Sequence, residues 1–172
     1  MRLIVIGIII VVSVLLEATA VGHISIFGVM PNLTLPIIIA YSMLRGENGG
    51  ATVGFLIGLL QDIILGQAIG LFAMLGLLIG YFSGRPFRDF YRESYLLPLL
   101  LTGVVAVIYN FVVYIFYSIT VAPINMFYHI GIVILPVSVY TMILSIPIYR
   151  ILYAVNNLLE FFERRRRKIF ER

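Results

Sequence analysis

Asp62 is the residue in this chain with the strongest claim to chemistry. It belongs to a series in which Gly50, Gly54, Gly58, Asp62 and Gly66 recur at every fourth position of an otherwise apolar stretch. On a helix such residues share one side, the stripe drifting by about 40° per step. Glycines at that spacing let a second helix approach backbone to backbone inside a membrane. A carboxylate costs roughly 2.5–3.5 kcal/mol at the bilayer centre, so it needs a partner or a watery cavity. Two uses are open to Asp62: a bond to backbone within the fold, or contact with a ligand or a partner helix. The ionisable groups near it in depth are Glu17, His23 and His129, which lie towards helix ends where water reaches them. Asn110, with Tyr109, Tyr114 and Tyr117, adds hydrogen bonds of the kind that pack helices, worth roughly 1 kcal/mol each.

Signatures of catalysis are missing. The chain has no nucleophile-elbow Ser, no H-E-x-x-H, no phosphate-cradling glycine loop and no closely spaced pair of intramembrane acids. With no Cys, thiol nucleophiles, disulfides and Cys-based metal or redox sites are excluded. The two His are far apart and give no metal-ligand spacing. No enzyme activity, metal or cofactor is expected.

The elements that must position these residues are apolar. Hydrophobic residues make up 62% of the chain and charged ones 12%, outside the range of soluble domains. Apolar runs at 3–21, 24–44, 51–65, 68–83, 96–118 and 130–152 predict an all-α, six-span membrane domain over residues 1–154. Pro31 and Pro36 leave regular helix in the second run only at 33–44. The third and fourth runs fall short of the ~20 residues a crossing needs. They either span a thinned bilayer or form a hairpin buried by neighbours. Gly76, Gly80 and Gly84 in the fourth run make a second ladder facing the first.

Charge orients the bundle. All twelve basic residues fall before the first run, after the second or fourth, at the closing end of the sixth (Arg150) or in the C-terminal tail. The positive-inside rule makes that side cytoplasmic and puts both termini there. Arg2, an apolar run and Ala18-Thr19-Ala20 also fit a cleavable signal peptide. The length of that run and Glu17 within it favour a retained first span instead. Arg85, Arg88 and Arg92 among Tyr81, Phe82, Phe87, Phe90, Tyr91 and Tyr95 suit an interfacial anchor. Residues 155–172 are expected as a cytoplasmic helical tail, in which Arg164, Arg165, Arg166, Arg167 and Lys168 meet anionic lipid or a cytoplasmic partner. A basic flank of this kind does not indicate nucleic acid.

One set of motifs resembles a known family. Pro31-Asn32-Leu33 opens the second run and Leu44-Arg45-Gly46 closes it. Gly54-Phe55-Leu56-Ile57-Gly58-Leu59-Leu60-Gln61-Asp62 follows, then Gly66 and Ile69-Gly70-Leu71. This pattern over residues 31–71 resembles the rod shape-determining MreD family, and length, span number and basic tail agree outside it. The resemblance implies a non-catalytic scaffold in the bacterial inner membrane, part of the cell-elongation complex that maintains cell shape and lateral peptidoglycan synthesis. Its implied partner is MreC, a single-pass protein with a large outer domain, alongside MreB, RodA and a class B penicillin-binding protein. The implied packing or partner face carries Pro31, Asn32, Arg45, Gly46, Gly54, Gly58, Asp62, Gly66 and Gly70. The family is also similar in fold to the substrate-binding subunits of energy-coupling-factor transporters, which implies a six-helix bundle with an outward cavity. That likeness keeps a second reading open, a solute- or vitamin-binding subunit. Against it stand the absence of Trp, few converging polar groups and no A-x-x-x-A pair in the first run.

Overall fold

The computed structural model describes residues 2–20, 30–65, 70–85, 96–120 and 129–170, and among them every regular element is a helix. The order is α1 (Arg2–Ala20), α2 (Thr34–Arg45), α3 (Glu47–Leu65), α4 (Leu71–Gly84), α5 (Leu96–Thr120) and α6 (Leu135–Phe170), the last preceded by a π-helical turn at Ile130–Ile134. The first of these is dense in Ile and Val, which in water favour strands. Inside lipid, a helix is the one open segment that satisfies its own backbone donors and acceptors, so that demand overrides propensity.

Helix α2 is the axis. Nine of its twelve residues are buried, among them Leu35, Ile39 and Met43. It lies across the seam between α3 and α4 on one side and against α5 and α6 on the other. Helix α1 is outermost and touches α3 and α2. Ile10 and Val14 of α1 share a core cluster with Ile38, Val53 and Ile57. A second cluster joins Leu35 and Phe72 to Ala106 and Tyr109, and a third joins Ala40 and Leu44 to Tyr149 and Leu152.

Element lengths revise two of the expected spans. Helix α3 starts at Glu47 rather than 51, and its 19 residues reach about 28 Å, close to the hydrocarbon thickness. The polar Glu47-Asn48 pair hid this start, yet an acid in the first turn complements the helix dipole. Helix α4 starts at Leu71 rather than 68 and has 14 residues, about 21 Å. Two helical stretches, Leu96–Thr120 and Ile130–Leu159, are long and apolar enough to cross a bilayer by themselves. Helices α2 and α4 and the Gly7–Thr19 part of α1 are apolar but shorter.

Candidate functional site

Helices α3 and α4 form an antiparallel hairpin whose two glycine ladders mesh. A Cβ added at Gly54 would overlap the Gly76 carbonyl, and one at Gly76 would overlap the Gly54 carbonyl. Gly50 and Gly80 block each other in the same way, and Gly58 lies on the Phe72 carbonyl and the Ala73 backbone. Gly84 closes the far end against the backbone of Gly46 and Glu47. Helix α2 locks the seam from above, because the Ser42 hydroxyl donates to the Gly80 carbonyl. The ladder of α3 is therefore filled by α4 of the same chain.

Asp62 sits where this hairpin turns. It is 2% exposed, and its carboxylate accepts three backbone N–H groups at 3.0 Å each. Gly70 and Ala73 donate to Oδ2 and Phe72 donates to Oδ1. These belong to the first turn of α4, whose N–H groups have no partner within their own helix. The acid is a cap supplied from the neighbouring helix, and the dipole of α4 favours its charge. Gly70, at φ 100°, takes the left-handed conformation that aims its N–H at Asp62. Of the two uses open to Asp62, the geometry provides the bond to backbone.

A polar cluster lies beside Asp62 and joins four helices. Gln61 Nε2 donates to Glu17 Oε2 of α1 at 3.2 Å and to Thr34 Oγ1 of α2 at 3.0 Å. Thr34 in turn donates its hydroxyl and its N–H to Asn32 Oδ1, which also accepts from Leu35 N–H. Asn32 thus caps α2, and Pro31 before it is buried. The Asn32 N–H donates to Thr141 Oγ1 of α6 at 3.0 Å. Sequence reading missed the roles of Gln61, Thr34 and Thr141, which depend on contacts between distant segments. The available signal was a Gln next to the ladder acid, on the side of α3 that turns towards α1 and α2.

This cluster floors a cavity of about 240 Å³. Glu17, Asn32, Gln61 and Asn110 line it together with apolar residues that include Pro31, Ile64 and Val137. Asn110 also lines a second space, of about 280 Å³, with Tyr114, Tyr117 and His129. His129 stacks on Tyr114 with centroids 4.9 Å apart. Elsewhere hydroxyls are spent on their own helices: Ser13, Thr102, Ser138 and Ser145 donate to carbonyls three or four residues back. Among the described residues no group of His, Asp or Glu could hold a metal ion.

The opposite end of the bundle gathers the basic residues. Gly46 alone connects α2 to α3, at φ 86° and ψ 177°, a backbone region open essentially to Gly. Arg45 beside it shares a small space with Leu152, Asn156 and Leu159 of α6. Glu47 and Arg85 pair at 2.9 Å across the start of α3 and the end of α4, and Arg85 lies over the Tyr81 ring. Gly66, His23, Arg88 and Arg92 lie outside the described residues. Arg164–Lys168 continue α6 as helix, and their side chains lie outside the description.

Comparison with known families gives one result. A family model described as rod shape-determining protein MreD matches residues 1–159. No curated protein and no solved structure matches the chain.

Proposed function

This chain belongs to the MreD family of rod shape-determining proteins, and we propose on that premise that it is a non-catalytic scaffold of the bacterial cell-elongation complex. The observation that carries the reading is the family match over residues 1–159, which takes in all six helices except the end of α6. The protein sits in the inner membrane with both termini in the cytoplasm. There it binds MreC and works with MreB, RodA and a class B penicillin-binding protein to sustain lateral peptidoglycan synthesis. The charge pattern supports that orientation.

Helices α2, α3 and α4 support the scaffold role because they are fused into one rigid body. A one-residue link, meshed glycines and a buried cap leave them no slack. A rigid body of this kind transmits position between an outer partner and a cytoplasmic one, and it needs no reactive group. The basic end of α6 provides the contact with anionic lipid or a cytoplasmic protein.

The test is co-purification of the tagged chain from its native host in mild detergent, followed by identification of the recovered proteins. Recovery of MreC is expected, together with other members of the complex at lower yield. A second reading, solute binding in the manner of energy-coupling-factor subunits, draws support from the cavity beside Glu17. Recovery of ATPase subunits in place of MreC would favour it and overturn the scaffold.

A further inference from the structure

The cavity bounded by Glu17, Gln61 and Asn110 has an unbalanced set of polar groups. Both protons of the Gln61 amide are used, one on Glu17 and one on Thr34. The Thr34 hydroxyl gives its own proton to Asn32, so it must accept from Gln61, and this fixes which way the Gln61 amide points. Asn110 gives a proton to the Ala106 carbonyl at 2.8 Å. The side-chain oxygens of Gln61 and Asn110 accept no hydrogen bond among the described residues, and neither is a sealed, orphaned atom. Glu17 adds a half-buried carboxylate whose described hydrogen bonds come from neutral groups. What remains for an occupant is three acceptors, one of them an acid, against neutral amide donors alone, the second Asn110 N–H and the Asn32 side-chain NH2, on an apolar wall.

We propose that this cavity is a binding site for a compact cationic hydrogen-bond donor, a primary ammonium or a guanidinium group. A volume of about 240 Å³ suits such a group with a short apolar stem lying along Pro31, Ile64 and Val137. An anion would meet the Glu17 carboxylate with only neutral amide N–H groups of Asn32 and Asn110 to offset the repulsion. A neutral apolar ligand would leave the three oxygens unpaired, at a cost that polar sites use to reject analogues. The group has two possible sources: the Lys or Arg side chain of a partner, or a small free amine. The site stands independently of whether MreC is the partner.

Because the natural chain has no Cys, one introduced thiol reports alone. Ala18 lines the cavity and is exposed, while Ile119, also exposed, does not line it. Full-length Ala18→Cys and Ile119→Cys proteins in lipid nanodiscs would be treated with 2-aminoethyl and 2-sulfonatoethyl methanethiosulfonate. At Ala18→Cys the cationic reagent should react roughly tenfold faster than the anionic one, relative to the same ratio at Ile119→Cys, as about 1.4 kcal/mol of preference gives. Guanidinium should protect the thiol, and tetramethylammonium at equal ionic strength should not, since it donates no hydrogen bonds. Glu17→Gln should bring the ratio near one. Asn110→Lys, which supplies an ammonium from within, should do the same and guards against Glu17→Gln failing to fold.

Loss of cationic labelling when MreC is co-assembled would assign the group to a partner side chain. Labelling unchanged by MreC, with protection by a small amine such as propylammonium, would assign it to a free solute. Equal rates for the two reagents in the otherwise natural chain, or a preference that survives both Glu17→Gln and Asn110→Lys, would overturn the proposal. MreC recovery would stay unaffected in that case, so this failure is distinct from failure of the scaffold reading.

Discussion

Asp62 holds three N–H groups that have no other partner, so its removal has a defined cost. Asp62→Ala leaves the amides of Gly70, Phe72 and Ala73 unpaired in a buried turn, worth about 1–3 kcal/mol. For a chain of this length that lowers the unfolding midpoint by about 5 °C, read by far-UV circular dichroism in detergent. Asp62→Asn keeps one acceptor oxygen and should fall between the two. An unchanged midpoint combined with lost partner binding would make Asp62 a recognition residue instead. The sequence made Asp62 conspicuous but concealed its partners. Helical periodicity relates residues three or four apart, whereas its donors lie eight to eleven residues ahead, past a chain reversal. Glu17 and Gln61 were obscured in a similar way, since 44 residues separate the two ends of their hydrogen bond.

At the scale of the element, the α3–α4 hairpin depends on small residues at a few registers. Gly54→Leu would drive a side chain into the Gly76 carbonyl, an overpacking worth about 1–3 kcal/mol or more. Gly7→Leu is the matched control, because a Cβ at Gly7 meets nothing within 4 Å. The expected outcome is a sharp fall in monodisperse protein after extraction for Gly54→Leu and little change for Gly7→Leu. Equal yields would mean that the seam is not under compression. The two ladders were visible as spacing, and so was their likeness to each other. Helix limits were less visible, because hydropathy marks where lipid-like residues stop and not where the backbone stops turning. Glu47 and Asn48 continue α3 past its apolar run, while Met30 to Leu33, with apolar residues among them, are not helical.

For the whole molecule, polarity is the organising fact. One end holds Arg45, Glu47 and Arg85, and the other holds Glu17, Asp62, Asn32 and the cavity. If the basic end faces the cytoplasm, green fluorescent protein fused after Arg172 should fluoresce and alkaline phosphatase fused there should be inactive. Phosphatase inserted between α5 and α6 should be active. The reverse pattern would invert the proposed orientation and move the cavity to the cytoplasmic face. Composition foretold an all-helical membrane protein, because apolar excess and sparse charge admit few other structures. The central place of α2 was not foretold. Its 12 residues are the fewest of any α-helix described, and centrality depends on which neighbours gather around a segment.

The cap reaching from α3 to α4 also bears on how the chain is made. Synthesis delivers α3 before α4, and until residues 70–73 emerge Asp62 has no donors and the Gly50–Gly58 face has only Ile38 and Ser42 of α2 against it. Released singly from the translocon, α3 would carry an unsatisfied acid and a bare strip of backbone into lipid. Held back until α4 is complete, the two enter with the acid satisfied and the strip covered. The smallest piece of this stretch that satisfies its acid and covers its ladder is consequently the helical pair, and a chain halted after Ala73 would still lack Gly76 and Gly80.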